Sequence, residues 1–225
     1  MTLTLVHFNT QYQCSTALMS GKIFDYEAFD VRPLSDFPKN LPSYVGGDLA
    51  ASLERDGDFF AMVTIYYDRA ADIVWVATCY RTRGMPIHLQ RKTLADLYTR
   101  VDATRMAFES NFFQATIAQD LRREYPHCTL LDFHQAASKE DKAWGLAALV
   151  DAKKIIFSDE VVALMGEMVG VPDGDHDDMF DALYAAIRAA KDRKRRERPE
   201  VGLDFKPVKE APPKRTLPPG LRASS

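Results

Sequence analysis

The amino-acid sequence predicts an α/β fold in which helices cover both faces of a mixed sheet. The first observation is a hairpin, in which two apolar, β-branched and aromatic runs at residues 59–67 and 73–80 are joined by the short segment 68–72. The second is that short apolar strands then alternate with segments of helical periodicity, as in folds whose sheet contains parallel strands. Together these patterns favour antiparallel strands followed by βα units.

A short apolar strand before the hairpin ends in an acid, and so does a later one. The first covers residues 44–50 and contains Gly46 and Gly47, which permit close approach of other backbone or of a ligand, followed by Asp48. The second covers residues 105–109 and ends at Glu109. The strand carrying Asp48 would begin an antiparallel set of three.

The remaining elements follow from apolar spacing and helix-start signals. Residues 88–101 suit an amphipathic helix, Asn111 can cap the next one, and Ser138 to Asp141 resembles a capping box. The other predicted elements are a strand at 128–133, a strand or extended edge segment at 155–157, a helix at 161–169 and a closing helix.

The start of the closing helix concentrates negative charge. Four carboxylates fall within residues 175–181, and an apolar helix face follows directly: Asp175, Asp177, Asp178 and Asp181, then Leu183, Ala186 and Ile187. Acids at a helix N-terminus can simply cap free N–H groups and complement the macrodipole. That explanation accounts for one or two acids, whereas four repel one another unless a cation lies between them. Asp oxygens suit Mg²⁺ or Mn²⁺.

Acids at the end of the first strand, at the end of the fourth and at the start of the last helix match a ribonuclease-H-like layout. Four sequence runs in this order lie at residues 47–59, 106–114, 139–157 and 176–183. They resemble the nuclease domain of large terminase subunits, the DNA-packaging motors of tailed phages, and the resemblance spans roughly residues 8 to 190. Lys142 stands where that family more often has Arg.

The resemblance implies a metal-dependent endonuclease that cleaves concatemeric viral double-stranded DNA during genome packaging. Its catalytic residues would be Asp48, Glu109 and Asp181, and the same three with Asp178 would bind metal. Two divalent ions, Mg²⁺ or Mn²⁺, can activate a water and stabilise the leaving oxygen of a phosphodiester. On the closing helix we expect Asp181 to be the principal ligand, Asp178 the second and Asp177 mainly a cap, while Asp175 caps the helix start.

Basic residues supply candidate DNA contacts. Lys139 and Lys142 on the predicted helix and the run Arg193, Lys194, Arg195 and Arg196 could bind phosphate. The commoner explanations are exposed helix lysines and a solvated helix end. Residues 191–225 contain eleven Lys or Arg and five Asp or Glu, a net charge of +6, so the preceding 190 residues carry −9 of the total −3.

The sequence divides into three predicted parts. Residues 1–40 form a lead-in segment packed on the domain, residues 41–192 form the nuclease domain, and residues 193–225 form a basic, proline-rich tail expected to be disordered. No Gly-x-x-x-x-Gly-Lys-Ser/Thr loop is present, which predicts no ATPase site in this chain. The resemblance therefore implies an ATPase motor in the same longer chain or a separate one, together with a portal and a small terminase subunit as partners.

The cysteine content and the lengths of the apolar runs indicate a cellular compartment. Three cysteines, odd in number and without metal-ligand spacing, favour a reducing setting, and no apolar run approaches the roughly 18 residues that span a bilayer. The predicted location is the host cytoplasm, in a packaging complex rather than in the virion, with no membrane partner. Two alternatives remain: a catalytically weak docking or DNA-binding module of the motor, and another ribonuclease-H-fold nuclease such as a resolvase.

Overall fold

The computed structural model describes residues 22–50, 59–109, 112–134 and 137–192. Seven strands form one mixed sheet: β1 Asp30–Arg32, β2 Ser43–Asp48, β3 Phe59–Asp68, β4 Ile73–Arg83, β5 Arg105–Glu109, β6 Leu130–Phe133 and β7 Ile155–Ser158. In this part of the chain, five α-helices accompany the sheet: α1 Ile87–Arg100, α2 Phe112–Glu124, α3 Lys139–Asp151, α4 Val162–Gly170 and α5 Asp178–Lys191. The predicted tail, with Arg193 to Arg196, and residues 1–21 lie outside the described residues.

The sheet order is β1-β7-β4-β3-β2-β5-β6. Strands β2, β3 and β4 are antiparallel neighbours, as the sequence predicts, whereas β5 pairs parallel with β2 and with β6. On the other side, β7 pairs parallel with both β1 and β4. The predicted strand at 155–157 is therefore confirmed as an internal strand, and the alternative of an extended edge segment is wrong.

Side chains of alternate strand residues point to opposite faces of the sheet, and buried apolar clusters lie on both faces. Ala61 and Val63 of β3 pack with buried residues of α3, α4 and α5. Phe60 and Met62 of the same strand face the other way and pack with α1 and α2. The predicted fold class, a mixed sheet with helices on both faces, is confirmed.

Local signals in the sequence account for several element boundaries. Ser138 accepts a hydrogen bond from the backbone of Asp141 and Asp141 returns one, so the predicted capping box at the start of α3 is present. Strand β1 and the turns beside it come from residues 22–40, and the sequence reveals no strand there because its three residues are mostly exposed. No helix in the described part of the chain combines the length and hydropathy needed to cross a membrane.

Candidate metal centre

Parallel strands β2 and β5 place two acids side by side at their carboxyl ends. Gly47 pairs with Phe108, so that Asp48 and Glu109 come next on adjacent strands. Two residues before Glu109, Ala107 belongs to the core formed with α5. Because strand side chains alternate between faces, Asp48 and Glu109 both lie on the α5 face of the sheet.

Helix α5 brings its acids to the same place because its backbone rests directly on β2. A Cβ added at Gly46 would lie 1.9 Å from the carbonyl oxygen of Ala182 and 2.5 Å from the backbone nitrogen of Ala186. The close backbone approach that the glycine pair predicts is therefore made by this helix. Asp181 directly precedes Ala182, so the contact positions its carboxylate near the ends of β2 and β5.

Asp48 lies at the electrostatic centre of the acid cluster. Burial raises the pKa of Asp48 well above its ordinary value, and the neighbouring carboxylates raise it further: Asp181, Asp178, Asp177 and Glu109. Among the residues that the structure describes, no Lys, Arg or His forms an ion pair or a hydrogen bond with this carboxylate. A carboxylate that is partly withdrawn from water and lies among like charges is costly unless a cation compensates it.

Lys142 of α3 contributes a positive charge to the acid cluster. Its buried ammonium donates to Glu109 Oε2 at 2.8 Å and to Asp181 Oδ1 at 2.9 Å. Burial alone would lower the pKa of Lys142, but these two carboxylates outweigh burial and raise it. For Asp181, burial raises the pKa and the lysine only partly opposes that shift. The side chain predicted to contact DNA phosphate is thus bound to two of the predicted metal ligands.

Lys139, one turn earlier on α3, is also engaged. Its ammonium lies 2.8 Å from Asp177 Oδ2. In these positions neither Lys139 nor Lys142 presents a free cation to a phosphate. The other predicted DNA contacts, Arg193 to Arg196, lie outside the described residues.

The start of α5 is held by a helix that the sequence analysis did not connect with it. Glu167 of α4 is buried, accepts from the backbone N–H of Phe180 at 2.8 Å and accepts from Arg81 at 2.8 Å. Asp178 lies 3.9 Å from the same guanidinium, and burial raises the pKa of Asp178. Glu167 therefore does at the third helical residue what an N-cap side chain normally does.

Asp177 occupies the N-cap position of α5, as expected of a cap, whereas the prediction that Asp175 caps the helix is wrong. Asp175 precedes the helix by three residues, and the N-cap position belongs to Asp177. Asp177 makes no side-chain capping hydrogen bond, because its carboxylate pairs with Lys139 instead. The sequence signal that could have identified Glu167 is its position as the single acid within the apolar residues of α4.

The acid cluster fits a hard divalent cation by its chemistry. Its oxygens come from β2, β5 and α5, and Asp48 has several carboxylates around it and no cationic partner among the described residues. In the observed side-chain positions, no three His, Cys, Asp or Glu groups of the described residues are close enough to hold one ion. The Lys142 ammonium instead pairs with both Glu109 and Asp181, and its single positive charge offsets one of their two negative charges.

Solved structures with the same fold come from two thermophilic bacteriophages. The large terminase nuclease of phage G20c matches with a TM-score of 0.55 and 15% identity, covering 71% of this chain and 93% of that one. The large terminase of the second thermophilic phage matches with a TM-score of 0.58 and 13% identity, covering 74% of this chain and 43% of that one. This chain thus spans under half of the second phage's protein. The predicted ribonuclease-H-like class is confirmed by these folds.

Further structures of these two proteins contain ligands. The G20c nuclease has been solved with magnesium, cobalt and zinc bound. The large terminase of the second phage has been solved with ADP and with ATP-γ-S. A segment of 96 residues is also 33% identical to the large structural protein of rabies virus (strain PM1503/AVO1), covering 41% of this chain and only 4% of that protein.

A family model decides the relationship. The model for the terminase RNase H-like domain matches residues 45–190, which is more than half of the chain and contains every described acid of the cluster. The resemblance to large terminase nuclease domains is thereby confirmed, and the chain belongs to the terminase RNase H-like domain family.

Proposed function

We propose that this protein is a divalent-metal-dependent endonuclease that cleaves concatemeric viral double-stranded DNA during genome packaging. The observation that carries the proposal is Asp48, a partly buried carboxylate at the end of β2 that lies among the acids of β5 and α5. The fold and family in which this cluster occurs support nuclease chemistry. The metal-bound structures of the G20c nuclease support a divalent cofactor.

Three residues would carry the reaction, each from a different element. Asp48, Glu109 and Asp181 would hold Mg²⁺ or Mn²⁺, with Asp178 as a further ligand, and two ions are expected. Such ions supply an activated water and stabilisation of the leaving oxygen. The charge of two divalent cations would also offset the repulsion that raises the pKa of Asp48.

The neighbouring side chains orient these acids. Lys142 fixes Glu109 and Asp181 at 2.8 and 2.9 Å, which limits their rotamers before any substrate arrives. Glu167 fixes the first turn of α5, and with it Asp178 and Asp181, through the N–H of Phe180. Preorganisation of this kind lowers the entropy that must be lost when ligands assemble.

Cleavage of plasmid DNA by the purified chain tests the proposal. Mn²⁺ or Mg²⁺ should support conversion of supercoiled plasmid into nicked and linear forms, and EDTA should stop it. Undiminished cleavage in EDTA would contradict the metal-dependent mechanism. A protein that binds DNA but leaves it intact with either metal would support the second candidate, a docking or DNA-binding module, which the ion pairs of Lys142 with two predicted ligands favour.

A separate prediction ranks the three acids of α5 and its N-cap by how much cleavage is lost when each is replaced by Asn. We expect Asp181→Asn to lose nearly all Mn²⁺-supported cleavage, because Asp181 is directed toward Glu109 and Lys142. Asp178→Asn should lose about 10- to 100-fold, the usual range for a supporting ligand position. Asp177→Asn should cut almost normally, because Asp177 pairs with Lys139 at the outer side of the site. Initial cleavage rates across an Mn²⁺ titration measure the order, and an inactive Asp177→Asn beside an active Asp181→Asn would reverse it.

Partners follow from the same proposal. Double-stranded DNA is the substrate, and an ATPase motor, a portal and a small terminase subunit are the expected protein partners in the host cytoplasm. The nucleotide complexes of the second phage's large terminase support an accompanying ATPase, in the same longer chain or a separate one. Co-purification of the chain with a packaging ATPase would test that association.

A further inference from the structure

Near the acid cluster, one aromatic ring supports two guanidinium groups. The guanidinium carbon of Arg81 lies 4.4 Å from the ring centroid of Phe59, and that of Arg83 lies 4.0 Å from it. The ring of His176 meets Phe59 edge-on at 4.9 Å. A guanidinium stacked on a ring keeps its N–H groups in the plane free to bind an oxyanion.

The strand register puts this group on the same face as the proposed metal ligands. Asp48 pairs with Ala61, and Ala61 pairs with Arg81, which makes one row across β2, β3 and β4. Phe59 and Arg83 form a row two residues further along. Directly opposite residues share a face, and so do residues two apart on a strand. All five side chains therefore lie on the α5 face.

The distance between Asp48 and Arg83 suits a DNA strand that passes over both residues. Two strand spacings of about 4.8 Å and two residue rises of about 3.3 Å separate the Cα atoms of Asp48 and Arg83 by about 12 Å. Each nucleotide advances a DNA strand by about 3.4 Å along the helix axis. Arg83 can thus reach a phosphate a few nucleotides from one bound at Asp48.

Arg83 also differs from the neighbouring cations in what it binds. Arg81 is bound to Glu167, Lys139 to Asp177, and Lys142 to two carboxylates. Arg83 is exposed, and no carboxylate of the described residues pairs with it. The Phe59 ring holds the Arg83 guanidinium in place. Since no anion of the described residues pairs with it, its positive charge is available to a ligand.

We propose that Arg83, supported by Phe59, binds a backbone phosphate of the DNA strand beside the phosphodiester held at Asp48, Glu109 and Asp181. The inference rests on the proposed function, because it assigns a subsite for the same substrate. A planar guanidinium binds phosphate oxygens through two parallel N–H donors. The contact is to the backbone and would position DNA of any sequence.

Binding of duplex DNA in EDTA tests this subsite apart from cleavage. Arg83→Ala should weaken binding several-fold at low salt and reduce the slope of log Kd against log salt by about 0.9, the value for one lost phosphate contact. The matched control is Arg69→Ala, which removes the same charge from the exposed turn at the other end of the hairpin. It should leave both quantities unchanged. Arg83→Lys should keep most of the slope, and Phe59→Leu should lose part of the affinity.

The results separate the subsite from the proposed function. If Arg83→Ala matches Arg69→Ala in affinity and in salt slope, the subsite is wrong, even if the protein cuts plasmid normally. If the wild-type protein binds DNA with a slope that falls in Arg83→Ala and yet never cuts, the subsite holds and the nuclease proposal fails. In an active enzyme, Arg83→Ala should raise KM while kcat and the Mn²⁺ dependence stay near wild type. An equal fall in kcat with unchanged KM would overturn the positioning role.

Discussion

Replacing Asp48 by Asn is expected to reduce metal-supported cleavage of duplex DNA by at least about 10³-fold. Metal ions contribute several kcal/mol to such reactions, and each 1.36 kcal/mol corresponds to a factor of ten in rate. Asn keeps the size of the side chain but removes the charge that would hold the ions. Asp96→Asn on α1, where the acid is exposed and pairs with Lys92, is the control and should cut at the wild-type rate.

The stability of Asp48→Asn distinguishes two roles for Asp48, that of a metal ligand and that of an acid that stabilises the fold. The pKa of Asp48 is raised by burial and by neighbouring carboxylates, so the folded state binds a proton at Asp48 more tightly than the unfolded state does. Without metal, the wild-type protein should therefore lose stability as pH rises above the ordinary value near 3.8 and until Asp48 ionises in the folded state. Asp48→Asn should lack that loss.

Thermal unfolding with and without Mn²⁺ measures both effects. In EDTA at neutral pH, Asp48→Asn should unfold at the wild-type temperature or above it. Added Mn²⁺ should raise the unfolding temperature of the wild type only, because a ligand stabilises the state that binds it. A variant that unfolds well below the wild type in EDTA would show that Asp48 supports the fold through a contact of its own, against the metal proposal.

Gly46→Ala should be the most disruptive single-methyl substitution at the site. The new Cβ would stand 1.9 Å from the carbonyl oxygen of Ala182, and both neighbours are helix backbone that cannot rotate away. Helix α5 would have to move outward by about 1 Å or more, at a cost of about 3 kcal/mol by analogy with overpacked cores. A shift of that size in Asp178 and Asp181 would lower cleavage about 10²-fold.

Gly47→Ala is the matched control. Its Cβ would meet Leu94 Cδ2 at 3.1 Å, the end of a flexible side chain on the opposite face of the sheet. Denaturant unfolding should show a much smaller loss for Gly47→Ala, and plasmid cleavage should stay near wild type. If Gly46→Ala loses as little unfolding free energy as Gly47→Ala, then α5 can adjust its position on β2 freely.

Most of the fold can be predicted from the sequence because the strands from β2 to β7 are mainly apolar runs with their own boundary signals. The strand at 105–109 and the hairpin are clear for this reason, and the acids at strand ends and at the helix start give the candidate site. Strand β1 could not be predicted, since three mostly exposed residues have no apolar pattern. The partner of the Phe180 N–H in the first turn of α5 could not be predicted, because Glu167 comes from another helix and local sequence carries no information on such a contact.

The partners of Lys142, Arg81 and Arg83 also could not be predicted from the sequence. Lys142 has the same one-dimensional signature as any helix lysine, and only the crossing of α3 toward β5 and α5 brings it to Glu109 and Asp181. Arg81 and Arg83 likewise become neighbours of Phe59 only through the hairpin register. Side-chain partners distant in sequence depend on register and helix placement, which apolar periodicity leaves open.

Because α5 rests directly on Gly46, the acid cluster proposed to bind metal can form only late in the synthesis of the protein. Asp48 lies on β2 and Asp181 on α5, and more than half of the 225 residues separate them. A polypeptide emerging from the ribosome can pair β3 with β2 and with β4 first, because these contacts are local. The acid cluster is complete only after α5 has been translated and docked. A partly translated chain therefore holds Asp48 without its partners, and no cleavage is expected before the closing helix arrives.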